Sequence, residues 1–231
     1  MRLIIQKISL FFIIGYGSVQ VCRAQAATTF PVINNYKTYR QLLKETPGKE
    51  MTALKSHIPG IVYDLKYATN KNFMHRLMYP KSTRTTFLRK PAMEALLKVQ
   101  QELNRSGSGI KVFDAYRPYS VSKKFWQLVH DERYVANPAK GSNHNRGTAI
   151  DLTIINLQTG RELDMGTGFD NFTDSAHHSF KNLPDEVLNN RILLKSVMQR
   201  YGFEPLDTEW WHYTYKSAIQ FEVMDIPFKK L

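Results

Sequence analysis

The segment Ser142-Asn143-His144-Asn145-Arg146-Gly147-Thr148-Ala149-Ile150-Asp151 sets an imidazole and a carboxylate seven residues apart around a glycine. A straight strand would hold those two groups roughly 23 Å apart, at about 3.3 Å per residue, so only a turn brings both to one point. Gly147 can supply it, because a residue without Cβ enters left-handed backbone freely. Asp151 then begins an alternating apolar strand, where a partly buried carboxylate needs a partner. A second cluster, Glu209-Trp210-Trp211-His212, spaces a carboxylate and an imidazole three apart. A regular strand would send them to opposite faces, so a bend or bulge is required if both serve one site. His144, Asp151 and His212 together leave one of the four positions of a tetrahedral zinc open, as in a catalytic rather than a structural site. One zinc per chain is the expected cofactor, with Glu209 close enough to move a proton. There is no H-E-x-x-H segment. His177-His178 could compete for the metal, but adjacent residues on a regular element point apart, which assigns them to packing or to hydrogen bonding around the site.

No thiolate can join these ligands, because the one cysteine, Cys22, lies in a stretch that reads as a secretory signal. Arg2 and Lys7 flank an apolar run, residues 8–14, and Ala24-Gln25-Ala26 fits a small-x-small cleavage site. The run is well short of the roughly 20 residues that span a bilayer, so export to the periplasm, without stable membrane insertion after cleavage, is expected. Gln20-Val21 match poorly the small residues that precede a lipid-modified cysteine. Cleavage after residue 26 leaves one domain, residues 27–231, long enough for a full core and too short for two large ones. The formal charge of +12 falls to +9 when Arg2, Lys7 and Arg23 leave. Lys and Arg are scattered, and no nucleic-acid-binding motif appears, so nucleic acid is not an expected partner. A basic exported protein is attracted instead to anionic envelope polymers.

Along the chain, residues 39–44 read as a short helix, and residues 61–67 alternate Ile61, Tyr63, Leu65 and Tyr67 as a strand would. Pro91 opens a helix through Met93, Leu96, Leu97, Gln100 and Leu103. Residues 110–113 read as a strand and residues 120–130 as a helix burying Val121, Phe125, Leu128 and Val129. Residues 149–157 form the next strand, and Pro184 opens a helix through Leu188, Leu194, Val197 and Met198 that Gly202 stops. Residues 210–215 are aromatic and β-prone. Without a strict βαβ rhythm, the expected class is α+β with a mostly antiparallel sheet flanked by helices.

As a set, Asp114-Ala115-Tyr116-Arg117-Pro118, Ser142-x-His144-x-x-Gly147-x-Ala149-x-Asp151, Phe169-Asp170 with His177-His178, and Glu209-Trp210-Trp211-His212-Tyr213 resemble the D-Ala-D-Ala dipeptidases of the vancomycin-resistance type. The resemblance runs from about Tyr63 to Tyr215. It implies the fold shared with zinc D,D-carboxypeptidases and the hedgehog amino-terminal domain, with His144, Asp151 and His212 as zinc ligands and Glu209 as general base and acid. It further implies that Arg117 stabilises the developing oxyanion, a job suited to a fixed guanidinium fork; the plainer role for Arg117 is an ion pair with Asp114. Asp170 matches a carboxylate that holds the dipeptide's free amine, Ser142 a residue near the substrate's carboxylate, and Tyr67 lines the same pocket. The implied activity is zinc-dependent hydrolysis of D-Ala-D-Ala to two D-alanines in cell-wall turnover. Two alternatives stand beside it: a zinc D,D-carboxypeptidase acting on longer wall peptides, and a non-catalytic zinc-containing module that binds the wall. Met74-His75 departs from the Thr-Gly of the family at the pocket rim, and the signal departs from its cytoplasmic members.

Overall fold

Seven consecutive residues, 149–155, are buried, so the strand they form needs cover on both faces. The computed structural model describes residues 30–132 and 134–231 and supplies that cover; the expected signal, residues 1–26, lies outside the described residues. In chain order the elements are β1 (Val32–Ile33), α1 (Tyr36–Glu45), β2 (Met51–Ala53), α2 (Leu54–His57), β3 (Val62–Tyr63), β4 (Phe87–Arg89), α3 (Lys90–Asn104), β5 (Ser108–Asp114), α4 (Tyr119–Val129), α5 (Asn143–Arg146), β6 (Ala149–Asn156), α6 (Asp185–Arg200), β7 (Phe203–Leu206), β8 (Glu209–Tyr215) and β9 (Val223–Met224). The main sheet has the order β3-β5-β6-β8-β7. Only its β3–β5 edge is parallel, which makes the fold α+β with a mostly antiparallel sheet.

Two long helices cover one face. On α3, Pro91 sits in the first turn, where its missing N–H costs nothing, and Ala92, Met93, Leu96, Val99 and Leu103 form the buried stripe. Gln100 lies on the same stripe because its Oε1 accepts the Ile110 N–H at 3.0 Å, so a buried amide completes the sheet edge. Leu194, Val197 and Met198 of α6 join Ile150, Leu152 and Ile154 of β6 in the same core. Strand alternation then sends Asp151 to the other face. Rings of Tyr67, Tyr79 and Phe125 pack into a second cluster. No helix among the described residues is long and apolar enough to cross a membrane.

Two local expectations need correction. Residues 61–67 do not form one strand: only β3 pairs, and a 3-10 turn over Lys66–Ala68 follows, although Ile61, Leu65 and Tyr67 are buried as the alternation requires. Inward-facing side chains here answer to the core, while a ladder needs a paired neighbour, and the register with β5 stops at Tyr63 opposite Val112. Leu128 on α4 is exposed, and the face that the helix buries runs through Tyr119, Ser122 and Phe125 instead. The small parallel pair β1–β9 joins the start of the described chain to its end through two residues each, too few to leave a period in sequence.

His178 lies away from the metal-ligating candidates. Its ring meets Tyr213 edge-on at 6.1 Å, on the core side of β8, and its buried Nε2 has no hydrogen-bond partner. Burial, with Lys195 and Arg191 nearby, lowers its pKa to about 4. A histidine depressed on folding binds fewer protons than the unfolded chain, so it costs no stability above pH 6.5 and an increasing amount as pH falls toward 4. His178→Phe should therefore flatten the fall in unfolding free energy between pH 7 and 4.5; parallel denaturant curves for the variant and wild type would remove His178 from the acid response.

Candidate metal centre and active site

A single rung across the sheet builds the centre. A register shift in the β5–β6 ladder between Val112 and Asp114 sets Asp114 opposite Asp151, and the β6–β8 ladder sets Asp151 opposite His212. His144 reaches the same point from α5. That helix is one turn long: Ser142 caps it by accepting the His144 N–H at 3.2 Å, Asn145 reciprocates by accepting the Ser142 N–H at 3.0 Å, and Gly147 ends it at φ 71°. The turn demanded by the sequence is thus a capped helix. A Cβ on Gly147 would meet Met51 Sδ at 2.6 Å, so both backbone and space require glycine.

His144 Nε2 lies 3.3 Å from His212 Nδ1 and 3.4 Å from Asp151 Oδ2, and His212 Nδ1 lies 2.9 Å from Asp151 Oδ1. Among the described residues these three form the group able to hold a metal ion. The spacing fits zinc, since bonds of about 2.0–2.1 Å in tetrahedral directions place ligand atoms about 3.3–3.4 Å apart. The outer nitrogens are oriented as ligation needs. His144 Nδ1 donates to the Ala115 carbonyl at 2.7 Å and His212 Nε2 sits 3.3 Å from Thr214 Oγ1, which leaves His144 Nε2 and His212 Nδ1 to face the centre. Burial alone would raise the Asp151 carboxyl, yet His144 and His212 hold it below its ordinary value. Burial opposes charge on His212, but the bond to Asp151 raises its pKa overall.

Glu209 Oε2 lies 4.0 Å from His212 Nδ1. The bend anticipated for residues 209–212 is present: the β7–β8 ladder pairs Pro205 with Tyr213 and then Leu206 with Glu209, so residues 210–212 are unmatched. Trp210 and Trp211 are both buried there, their rings 5.5 Å apart. Burial raises the Glu209 carboxyl, with His212 opposing and Asp151 adding to the rise. Arg117 makes the ion pair with Asp114 considered for it. Its Nε and Nη2 donate to Asp114 Oδ2 at 3.0 and 2.7 Å, and its guanidinium carbon lies 5.2 and 5.0 Å from the Tyr67 and Phe125 ring centres. Its charge still acts on Asp151, Glu209 and Asp170.

Asp170 is held at φ 60°, and its carboxylate accepts from the Tyr67 hydroxyl at 3.1 Å. Tyr67 is buried, so it serves this pocket through its hydroxyl. Burial and Asp151 raise Asp170 well above the carboxylate range, against Tyr67 and Arg117. The Ser142 hydroxyl serves as the helix cap. His177, 3.9 Å from Asp174, and His178 both stay outside the ligand group. Two contributors escaped the sequence: Tyr79, whose hydroxyl donates to Asp114 Oδ1 at 2.6 Å, and Thr214. Thr214 had a signal, because residues two apart on a strand share a face; Tyr79 had none.

Two imidazoles and a carboxylate beside a raised glutamate and a clamped guanidinium define a metallopeptidase-type hydrolytic site. The chain belongs to the D-Ala-D-Ala dipeptidase family, peptidase family M15, whose model matches residues 48–228. It is 35% identical to the D-alanyl-D-alanine dipeptidase of Escherichia coli (strain K12), over 76% of this chain and 89% of that protein. The D-alanyl-D-alanine dipeptidases of Enterococcus faecium and Streptomyces coelicolor are 31% and 32% identical, over 72% and 69% of this chain and 91% and 88% of theirs. A solved LD-carboxypeptidase overlays with a TM-score of 0.41 at 20% identity, covering 71% of this chain and 70% of that one, too distant to carry an argument.

Removing one of three ligands leaves too few for tight binding. His144→Ala, Asp151→Ala and His212→Ala should each purify without the metal that wild type carries, as elemental analysis would measure. Stoichiometric metal in any one variant would strike that residue from the ligand set.

Proposed function

We propose that the chain is a zinc dipeptidase that hydrolyses D-Ala-D-Ala to two D-alanines, with His144, Asp151 and His212 holding the ion. The observation that carries the substrate assignment is Asp170. It is a carboxylate in a pocket with Asp151 and Glu209, bonded only to a neutral tyrosine hydroxyl, and burial with the neighbouring acid raises its pKa. A site with that excess of acid favours a ligand that brings a cation, and the free ammonium of a dipeptide is one. The family match and the dipeptidase relatives support the same reading.

Held by His144, Asp151 and His212, a zinc ion would supply a nucleophile near neutral pH and polarise the scissile carbonyl. Glu209, raised toward neutrality by burial, takes the proton lost in attack and delivers it to the departing amine. Arg117 cannot swing freely, because Asp114 holds two of its donors and two rings cover its plane, so its charge stands ready where oxyanion charge develops. Ser142 stands at the N-terminus of the ligand-bearing helix, a polar position suited to the substrate's carboxylate. We place the activity outside the cytoplasm, in turnover of wall peptides, with residues 27–231 as one domain after loss of residues 1–26; the Arg2 and Lys7 flanks and Ala24-Gln25-Ala26 support this.

Glu209→Ala should retain metal and lose most turnover, and Arg117→Ala should lose on the order of 100-fold or more in kcat with its circular dichroism unchanged. A Glu209→Ala enzyme with near-normal kcat would take this residue out of the proton transfers.

Substrate length tests the reading as a whole. N-acetylation replaces the ammonium by a neutral amide and leaves Asp170 unpaired, a loss of about 3 kcal/mol or roughly a hundredfold in kcat/KM. The free dipeptide should therefore exceed N-acetyl-D-Ala-D-Ala and a wall pentapeptide by that factor in wild type, and Asp170→Ala should narrow the gap. Equal or faster cleavage of the blocked substrates would favour the carboxypeptidase alternative.

A further inference from the structure

The buried stripe of α6 runs Val187, Arg191, Leu194, Val197 and Met198, so a guanidinium occupies a position where packing alone calls for an aliphatic side chain. Arg191 is 5% exposed, and burial lowers its pKa. Among the described residues its hydrogen bonds go to backbone carbonyls and none to a carboxylate: Nε to Met165 at 2.8 Å, Nη2 to Ser175 at 2.8 Å and Nη1 to His177 at 3.2 Å. Burying a charge in this way is expensive, and three charge-assisted bonds offset that cost only while the carbonyls stay in place.

Those carbonyls bracket one loop. Met165 lies five residues before Asp170, and Ser175 and His177 lie five and seven after it, so one planar fork ties both legs of the segment whose tip carries the amine-seeking carboxylate. The preceding residue of α6 assists: Asn190 Nδ2 donates to the Asp164 carbonyl at 2.9 Å. The loop is also pressed onto the helix, since a Cβ on Gly166 would lie 2.9 Å from Val187 and 3.0 Å from Leu183. At the tip, Asp170 sits in left-handed backbone, a conformation that persists only when its surroundings fix it.

We infer that Arg191 is a positioning residue for substrate specificity: by clamping both legs of the 165–177 loop it fixes Asp170 at the distance that recognises a free ammonium, and so sets the preference for an unblocked dipeptide. The inference rests on the dipeptidase reading above. It assigns Arg191 no contact with substrate or metal. Its loss acts through Asp170, while the metal ligands and Glu209, on other elements, keep their places.

The test uses zinc-loaded full-length enzyme with Arg191→Met, which keeps the aliphatic bulk, and Arg191→Lys, which keeps the charge but loses the fork. An ångström-scale displacement of a binding group costs up to about 10²-fold. Arg191→Met should therefore lower kcat/KM for D-Ala-D-Ala by tens of fold, chiefly through KM. Hydrolysis of N-acetyl-D-Ala-D-Ala, which makes no use of the Asp170 charge, and metal content should stay near wild type, with Arg191→Lys intermediate. Introduced into Asp170→Asn, Arg191→Met should add little. Amide hydrogen exchange over residues 166–177 should quicken in both Arg191 variants. Equal loss on free and blocked substrates, full multiplication of the two mutations, or unchanged exchange in the loop would each overturn the role of Arg191 alone. A wild type with no preference for the free dipeptide would overturn the dipeptidase reading together with it. Should Arg191→Met fail to fold, Arg191→Lys carries the same comparisons.

Discussion

Asp114 and Asp151 face each other across the β5–β6 ladder, and both are buried. Two carboxylates so placed repel one another and lack the water that would stabilise them, so the sheet end is tenable only if each has its own positive partner. Asp114 is served by Arg117 and the Tyr79 hydroxyl, and its pKa is still raised by burial. Asp151 is served by two imidazoles within reach of both its oxygens. The demand for positive charge thus dictates the two sides of the site: a permanent guanidinium on one, and on the other a nest of three ligand atoms that a divalent cation neutralises far better than the imidazoles can.

The sequence made this centre legible to different depths. His144 and Asp151 were readable because seven residues separate two groups that a strand would hold far apart, and the only economical remedy is a glycine turn at Gly147. Glu209 and His212 were readable through a contradiction, since strand alternation forbids what the chemistry needs, and the unmatched residues 210–212 resolve it. Long helices with a clear stripe, α3 and α6, were equally plain. What escaped has no local period: a two-residue strand such as β1, whose partner β9 lies near the other end of the chain, or Tyr79, which reaches Asp114 from 35 residues away. The stretch 61–67 shows the limit from the other direction. Its alternation correctly gave the inward faces, but pairing depends on a neighbour, and the neighbour serves two residues.

Arginine does the same work at two places behind the site. Arg89, fully buried, donates through Nε to the Arg146 carbonyl and through Nη2 to the Glu222 carbonyl, and its backbone N–H donates to Gly147 at 2.7 Å. It therefore holds the end of α5, and with it His144, against the C-terminal segment. Burial lowers its pKa to about 10, with Glu222 opposing. A five-donor fork in a fixed plane suits this task, because a short helix and an irregular loop both leave carbonyls that no ladder will satisfy.

On the dipeptidase reading proposed above, the charges in the pocket make a free amine the natural signal for substrate. Asp114, Asp151, Asp170 and Glu209 interact with one another and with one guanidinium, Arg117. A divalent cation held by His144, Asp151 and His212 would neutralise Asp151, and Arg117 is already committed to Asp114. Asp170 takes its hydrogen bond from the neutral Tyr67 hydroxyl, and among the described residues no cation pairs with it directly. Its raised pKa means that it keeps a proton more readily than an ordinary aspartate, so the empty pocket is less charged than its residues suggest. An arriving ammonium reverses that balance by favouring the ionised form, and recognition is then strongest for the ligand that brings the missing charge. A blocked amine cannot do so, however well the rest of the molecule fits, and the selectivity follows from charge accounting before any question of shape.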